Sequence, residues 1–322
     1  MELSIVIVNW NSRHDLVNCV ESVLRHSPSV SYEFVVVDSG SFDGVEAALA
    51  RVCPTARFIQ SPNNVGFGCA NNLGVKAALG TYLLLLNPDT LVSQGAIDAL
   101  YRAARTLPGV GAVGPKLMNA DGTPQDTCVR AFPTLLNQAL ESSLLRTLMP
   151  RSALWGASAL HGPSSAPVAV EALSGACMLM RRDVFLSLQG FSEDYFMYSE
   201  DIDLCFRLSM KGLSCYFVPE SSIVHFGGKS SSLSPVTQFA AIMMLESRRK
   251  FFARNRSTRY AYAYRVAMLL NSTLRLAALF ALVPLLTLVG RRRQAVAAVR
   301  KWAAKLRWSI GLERWSTDFK PR

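Results

Sequence analysis

Carboxylates recur where greasy stretches of this chain break off. In "LLLLNPDT", Leu83–Thr90, four leucines end at Asn87, Pro88 and Asp89. A carboxylate at the carboxyl end of a buried parallel strand lies where open α/β sheets bind ligands, so Asp89 is a candidate for holding a metal or a substrate. Taken alone it reads better as part of a polar turn, because Asn, Pro and Asp are ordinary turn formers, and the rest of the chain reverses that preference. In "VVVDSGSFDG", Asp38 ends a β-branched run and Asp43 falls in the following turn, where an acid can accept hydrogen bonds from a base or a ribose. The segment "GFSEDYFMYSEDIDLCFRLSMKG" packs Glu193, Asp194, Glu200, Asp201 and Asp203 among Phe191, Tyr195, Phe196, Met197 and Tyr198. Acids amid aromatics are costly to desolvate, and such surroundings raise a carboxyl group toward the range of a useful base. A solvated helix face accounts for part of the set, since Glu200, Asp203 and Arg207 have helical spacing. His225 follows the strand-like "SCYFVPESSIV" and by itself reads as a satisfied histidine.

The elements that must position these groups follow from periodicity. Apolar runs at Leu3–Val8, Glu33–Val37, Arg57–Ile59, Tyr82–Leu86 and Val110–Val113 alternate with helical patterns near 12–25, 44–52, 67–79 and 93–106. This βαβα rhythm predicts an α/β fold, a mostly parallel sheet with helices on both faces. Right-handed crossovers then gather the strand ends on one edge, so Asn9, Asp38, Asn63, Asn64 and Asp89 are expected to face one crevice. From Asn119 to Ala169 the pattern loosens into one or two helices and the Pro/Ser/Gly-rich "HGPSSAPV", expected to be an inserted mobile segment or a plain surface excursion.

At 322 residues, with half of them hydrophobic and 18% charged, the chain can bury a large core. Its net charge of +11 is uneven: residues 241–322 carry 18 Lys or Arg against Glu246, Glu313 and Asp318, whereas residues 1–240 are slightly acidic. The basic part also holds Leu276–Gly290, 15 residues without charge, short of the roughly 20 that a spanning helix needs. Extending it backwards buries Arg275, so an interfacial helix or helical hairpin with basic residues reaching anionic headgroups is expected, the other reading being a helix packed on the main domain. The long apolar run makes a membrane surface a better partner for this tail than nucleic acid. Seven scattered cysteines form no C-x-x-C pair and read as small buried hydrophobes. "MELSIVIVNW" lacks a basic n-region, so no secretory signal is expected and the catalytic part is expected to stay cytoplasmic.

Several common motifs are absent. There is no G-x-x-x-x-G-K-[ST] and no G-x-S-x-G, and "GFGCANNLG" is an incomplete G-x-G-x-x-G that does not follow the first strand.

What remains resembles the inverting glycosyltransferases of family 2, especially bacterial rhamnosyltransferase-like members, over about residues 3–230. The likeness rests on "SIVIVNWNS", "VVVDSGSFDG", "NNVGFGCANNLG", "LLLLNPDT", "LSGACMLMRRDVF", "GFSEDYFMYSEDIDLCFR" and "VPESSIVHFGGKS", in that order. It implies a GT-A fold over residues 1–240, with a nucleotide-sugar half at 1–115 and an acceptor half at 116–240, followed by the membrane-associating region 241–322. It further implies that Val8 and Asn9 line a nucleotide pocket, that Asp38 contacts the base, and that Asn64, Gly66, Phe67 and Asn71 cradle nucleoside and phosphates. Asn87 and Asp89 occupy the place of the family's D-x-D motif, making Asp89 the expected ligand of Mg²⁺ or Mn²⁺, with His225 as an additional metal or diphosphate contact. Asp201, paired with Glu200, is the expected general base. The expected partners are a nucleotide-sugar donor, a lipid-linked saccharide acceptor and the inner face of the cytoplasmic membrane. Two other readings are a processive polysaccharide synthase, disfavoured because "AKLRW" has Ala304 where a Q-x-x-R-W motif needs Gln, and a noncatalytic nucleotide-binding scaffold.

Overall fold

The computed structural model describes residues 1–140, 165–227, 238–288 and 290–317, together with Leu148, Met149, Ser152, Leu154 and Phe319. The wholly buried runs form the middle of a nine-stranded mixed sheet. Strands β1 (Leu3–Asn9), β2 (Tyr32–Ser39), β3 (Arg57–Ser61) and β4 (Tyr82–Leu86) lie in the order β3-β2-β1-β4, all parallel. Helices α1 (Arg13–Arg25), α2 (Val45–Val52) and α3 (Phe67–Ala77) make the crossovers. Strands buried on both faces have no polar side to show, which is why they read as continuous Val, Ile and Leu. Gly74 lets α3 press on the sheet: a Cβ there would lie 2.5 Å from Val6 Cγ1.

Beyond β4 the sheet departs from the simple rhythm. After β5 (Thr90–Val92) come α4 (Ala96–Thr106) and β6 (Val110–Met118), yet β6 does not pair with β4. Strand β10 (Cys177–Arg181), from "LSGACMLMRR", inserts antiparallel between them. Strand β11 (Ser214–His225) runs parallel to β6 with a register shift between Val218 and Ser222, around Pro219, which has no N–H to give. β11 also pairs antiparallel with β8 (Val168–Val170) and with β5. A two-stranded ribbon of β7 (Val129–Arg130) and β9 (Ala172–Leu173) caps this half. Six of the nine main-sheet strands share one direction, so the mostly parallel α/β sheet expected from the rhythm is present, with the antiparallel strands confined to the later half.

Within the loosely patterned 119–169 stretch, α5 (Leu135–Ala139) is a short helix held by a capping box at Thr134 and Asn137. Residues 141–147 and most of 150–164, where a second helix and the Pro/Ser/Gly-rich run were expected, lie outside the described residues. Two further helices, α6 (Arg182–Ser187) and α7 (Glu200–Met210), follow β10.

The basic region forms α8 (Gln238–Asn255), α9 (Thr258–Leu288) and α10 (Arg292–Ser309). The uncharged run is therefore helical as far as Leu288, within a 31-residue helix that includes Arg259, Arg265 and Arg275. Extending the helix back past Arg275 does not leave that charge stranded, because its guanidinium stacks 4.6 Å from the Trp302 ring centroid on α10. Thr258–Leu282 is long and apolar enough to cross a membrane by length and composition, with mean hydropathy 1.4. Its Val266, Leu270, Leu274 and Phe280 are exposed. The same helices also join the main core: Phe251, Phe252, Tyr264, Met268, Ala304 and Trp308 belong to one buried cluster with the sheet residues. Glu246 anchors this packing, accepting a bond from Trp308 Nε1 at 3.0 Å and an ion pair from Arg249 at 2.6 Å.

Six of the seven cysteines are buried. Burial pushes the Cys19 thiol up to about 12 and Cys128 up to about 11, so both are inert packing groups.

Candidate active site

A cavity of about 290 Å³ opens at the carboxyl edge of β1, β2 and β4. Of the twelve residues expected to act there, nine line it: Val8, Asn64, Gly66, Phe67, Asn87, Asp89, Glu200, Asp201 and His225. The other three lie behind the wall. Asn9 and Asp38 are paired across β1 and β2 and have no exposed surface. The Asp38 carboxylate accepts from Asn9 Nδ2 at 2.7 Å, Gln60 Nε2 at 2.7 Å, Phe42 N at 3.1 Å, and also from Ser41. Burial opposes its ionisation, but the bonds from Ser41, Gln60 and Asn9 outweigh burial and hold the carboxyl below its usual range. In this arrangement Asp38 organises the turn after β2 rather than reaching the cavity. Asn71 Nδ2 returns to the Phe67 carbonyl one turn back in α3 at 3.0 Å, so this side chain braces the helix. Asn63 lines a separate, neighbouring cavity.

Loop 62–66 is shaped by Gly66, with φ +83, where any Cβ would strike the Phe196 carbonyl oxygen at 2.2 Å. Only glycine meets both demands. Asn64 Oδ1 accepts from Gly66 N at 3.0 Å and from Ser39 Oγ at 3.2 Å, tying the loop to β2.

The turn Asn87-Pro88-Asp89 links β4 to β5, and β5 pairs with the end of β11 so that Thr90 faces His225. This register brings His225 Nε2 to 3.4 Å from Asp89 Oδ1 and 3.5 Å from Asn87 Nδ2. Gln125 fixes the imidazole. Its Nε2 donates to the His225 carbonyl at 2.6 Å, so its Oε1 is the atom that meets Nδ1 at 2.9 Å. Nδ1 therefore carries a hydrogen, which leaves Nε2, directed at Asp89, as the ring nitrogen that a metal would take. Asn87 Oδ1 is buried without a hydrogen-bond partner among the described residues. One carboxylate, one oriented imidazole nitrogen and one spare amide oxygen fit a divalent cation of the Mn²⁺ or Mg²⁺ class. No group of three or more His, Cys, Asp or Glu converges on one point among the described residues, so the protein supplies a partial ligand set.

Across the cavity, Tyr198 and Ser199 both take positive φ, 69° and 70°, immediately before α7. Two successive non-glycine residues in the left-handed region are strained, and strain of this kind collects where side chains must be aimed. Here it starts the helix at Glu200 and Asp201, which are 7% and 8% exposed. Asp201 accepts from Gly175 N at 3.0 Å on Oδ2 and from Ile202 N at 2.8 Å on Oδ1, and the first helical turn favours its negative charge. Gly175 belongs to "LSGA", so that motif serves to hold Asp201. Glu200 is different: its Oε2 has no partner among the described residues, and burial with the adjacent Asp201 charge pushes its carboxyl up to about 8. Asp203 faces away from the cavity, wholly buried, taking Arg207 Nε at 2.7 Å, Asn255 Nδ2 at 2.7 Å and Tyr195 Oη at 3.2 Å. The helical spacing of Asp203 and Arg207 thus makes a buried pair rather than a solvated one. Glu193 and Asp194 line the neighbouring cavity with Asn63.

The cavity also contains Trp10, Ser12 and Arg130, which the sequence did not single out, and Tyr198, noted there only as an aromatic beside the acids. Trp10 and Ser12 flank the Asn of "VNWNS", a motif that could have revealed them. Arg130 and Gln125 sit in the loosely patterned stretch and carry no local signal.

Comparison with known proteins agrees with this geometry. Residues 4–187 match the family described as glycosyl transferase family 2, a span that includes Asp89 and ends before α7. The chain is 33% identical over 220 residues to the N-acetylglucosaminyl-diphospho-decaprenol L-rhamnosyltransferase of Mycobacterium tuberculosis, covering 64% of this chain and 70% of that protein. It is 28% identical over 171 residues to the rhamnosyltransferase WbbL of Escherichia coli K12, covering 50% and 61%. Among solved structures, the mannosyltransferase PcManGT from Pyrobaculum calidifontis, in complex with GDP-Man and Mn²⁺, superposes with TM-score 0.60 at 18% identity, covering 99% of this chain and 88% of that one, and supports the GT-A-like fold. A parallel sheet edge that carries Asp89, opposite a helix start that carries Asp201, is thus found in a chain that belongs to glycosyl transferase family 2 and is a glycosyltransferase.

Proposed function

We propose that the protein transfers a deoxyhexose, with rhamnose from its dTDP form as the best candidate, to a lipid-linked saccharide, with inversion at the anomeric carbon. The observation that carries this reading is that Asp201 and the Asp89/His225 pair line one cavity from two different elements. The relatives named as rhamnosyltransferases, one of them for a diphospho-decaprenol-linked sugar, support the choice of donor and acceptor.

In this mechanism Asp201 accepts the proton of the acceptor hydroxyl as its oxygen bonds to the anomeric carbon, and the bond from that carbon to the diphosphate breaks. The Gly175 and Ile202 N–H groups keep the Asp201 carboxylate in place during attack. One base and no covalent intermediate give a single displacement, hence inversion. Asp89 and His225 would hold Mg²⁺ or Mn²⁺, and the imidazole nitrogen favours Mn²⁺. When bound, such an ion neutralises charge on the departing nucleoside diphosphate as a Lewis acid. Val8, Trp10 and Asn64 line the donor end, where the indole offers a flat face to a base or a sugar. Glu200, protonated at neutral pH, does not compete with Asp201 as a second base.

Residues 1–240 form the catalytic unit in this proposal, and 241–322 bring it to the inner face of the cytoplasmic membrane through the exposed apolar side of α9. The test is a thermal-shift screen of the full chain against dTDP-, UDP- and GDP-sugars, with and without Mn²⁺, repeated on Asp89→Ala. A rise in melting temperature confined to one nucleotide, dependent on metal and lost in the variant, is expected. No shift with any nucleotide in folded protein would contradict the reading and favour a scaffold.

A further inference from the structure

Tyr198 and Ser199, the two positive-φ residues before α7, decide where Asp201 points, and such strain persists only where the surroundings over-determine it. The contacts that determine it reach the corner from two sides. On the donor side, Phe67 N donates to the Phe196 carbonyl at 3.2 Å, and Gly66 leaves room for that carbonyl. On the other side stands the C-terminal region. Ser247 on α8, 2% exposed, donates through Oγ to the Met197 carbonyl at 2.7 Å. Lys250, on the same helix, donates through Nζ to the Asp194 carbonyl at 2.9 Å. The Phe319 ring packs edge-on against Phe196, with the centroids 4.9 Å apart. Phe319 is itself seated on Phe239 and Trp315, at 5.1 Å and 6.0 Å.

These contacts are not equivalent. The Lys250 bond is exposed, and so is the ion pair of Arg254 with Asp194, a kind of pair that holds little. The Ser247 hydroxyl is buried, so water does not readily take its place. The Met197 carbonyl shares a planar peptide with Tyr198 N, so fixing the direction of that carbonyl fixes one side of the Tyr198 φ rotation. Phe196 and Met197 both line the catalytic cavity, so the corner that the C-terminal region grips is part of the cavity wall.

We infer that Ser247 and Phe319 are positioning residues: they hold the Phe196–Ser199 corner in the strained form that aims Asp201 at the acceptor hydroxyl. Besides bringing the protein to a surface, the region 241–322 thereby completes the catalytic unit. The aim of the base rests on the proposed role of Asp201, whereas the hold on the corner does not.

The test compares Ser247→Ala and Phe319→Ala with wild type in the full chain in detergent, first without ligand. Hydrogen exchange should quicken at least about tenfold at the Gly175 and Ile202 amides, which bond to Asp201, while β1–β4 exchange as in wild type. Turnover is then followed as dTDP release from dTDP-rhamnose with Mn²⁺ and a prenyl-diphosphate-linked N-acetylglucosamine. A displaced base should lower kcat by about 10–100-fold. Donor KM should stay within about twofold of wild type, because Asn64 keeps its own bonds to Ser39 and Gly66. Ser247→Ala removes a single oxygen and provides a variant that folds. Phe319→Tyr keeps the ring and should show wild-type exchange and kcat. Unchanged exchange at both amides in both alanine variants would overturn the inference. Faster exchange spread evenly over β1–β4 would also overturn it, by marking a structural role alone. Asp201→Asn runs in the same turnover assay. Full turnover there, with the corner loosened in Ser247→Ala, would sink the base reading and leave the hold on the corner standing. An inactive Asp201→Asn beside alanine variants of wild-type kcat would sink the positioning inference alone.

Discussion

His225 Nε2 lies 3.4 Å from Asp89 Oδ1 although the two residues belong to distant parts of the chain. Their meeting is set by backbone pairing, since β5 and β11 place Thr90 opposite His225. The histidine's ring is then oriented by Gln125, which holds both its Nδ1 and its carbonyl oxygen. Orienting partners of metal-binding histidines commonly affect metal affinity by about 10–100-fold. Gln125→Ala should therefore weaken Mn²⁺ affinity in the presence of nucleotide by about that factor, measured by manganese paramagnetic resonance. His225→Ala should do so at least as strongly, while binding equal to wild type in both would remove His225 from the proposed ligand set.

Asp201 accepts a backbone N–H on each of its two oxygens, so an amide in its place gives up one of those bonds together with its basicity. Asp201→Asn should lower kcat by about 10²–10⁴-fold. The donor KM should stay close to wild type, while the melting temperature should fall modestly with the lost bond to the backbone. A variant with nearly full kcat would assign the proton to another group.

Glu200 titrates in the opposite sense to an ordinary paired carboxylate. Its folded-state value, pushed up from 4.5 to about 8, means that the folded protein holds this proton more tightly than the unfolded chain. The stabilising contribution is complete below about pH 4.5 and is lost as pH rises toward about 8. Wild-type melting temperature should thus fall between about pH 5 and about pH 9, and Glu200→Gln, which cannot ionise, should flatten that fall. For a chain of this size each kcal/mol corresponds to a shift of roughly 2 °C. Parallel profiles for the two proteins would contradict the assignment.

Asp203 is wholly buried against Arg207, Asn255 and Tyr195, and Arg207 continues to the carbonyls of Leu188 and Gly190. Removing one partner of such a pair leaves the other charge without its counterion, at about 3–5 kcal/mol. Asp203→Ala should lose about that much stability in urea unfolding and lower activity only through the folded fraction. A direct catalytic role would instead reduce kcat in protein shown to be fully folded.

Gly66→Ala adds a Cβ against the Phe196 carbonyl and forces a non-glycine residue to φ +83. The loop that joins Asn64 to the cavity must then shift. Nucleotide-sugar affinity should drop by at least about tenfold, an effect measurable by calorimetry.

The sequence by itself determined the parallel half of the fold and one end of the site. Strands buried on both faces must be runs of apolar residues, and the turns that follow them must be polar, so Asn64 and Asp89 could be placed on one edge by strand order alone, whereas Val8 and Asn87 followed from the family resemblance. Asp38 was correctly placed at a strand end, but the sequence could not show that Asn9, Ser41 and Gln60 would saturate its carboxylate. The acid-rich segment was legible as a cluster, whereas its division was not. A single helical turn sends Glu200 and Asp201 into the cavity and Asp203 into the core, and the direction of that turn depends on the strained Tyr198-Ser199 corner. The C-terminal charge and apolar run were visible as composition, yet the continuous α9 and the stacking of Arg275 on Trp302 required a partner helix. Local pattern reports which face of an element is apolar. The insertion of β10 between β4 and β6, the β5–β11 register and the reach of Ser247 to the Phe196–Ser199 corner depend on contacts between residues far apart in the chain, and no local period records them.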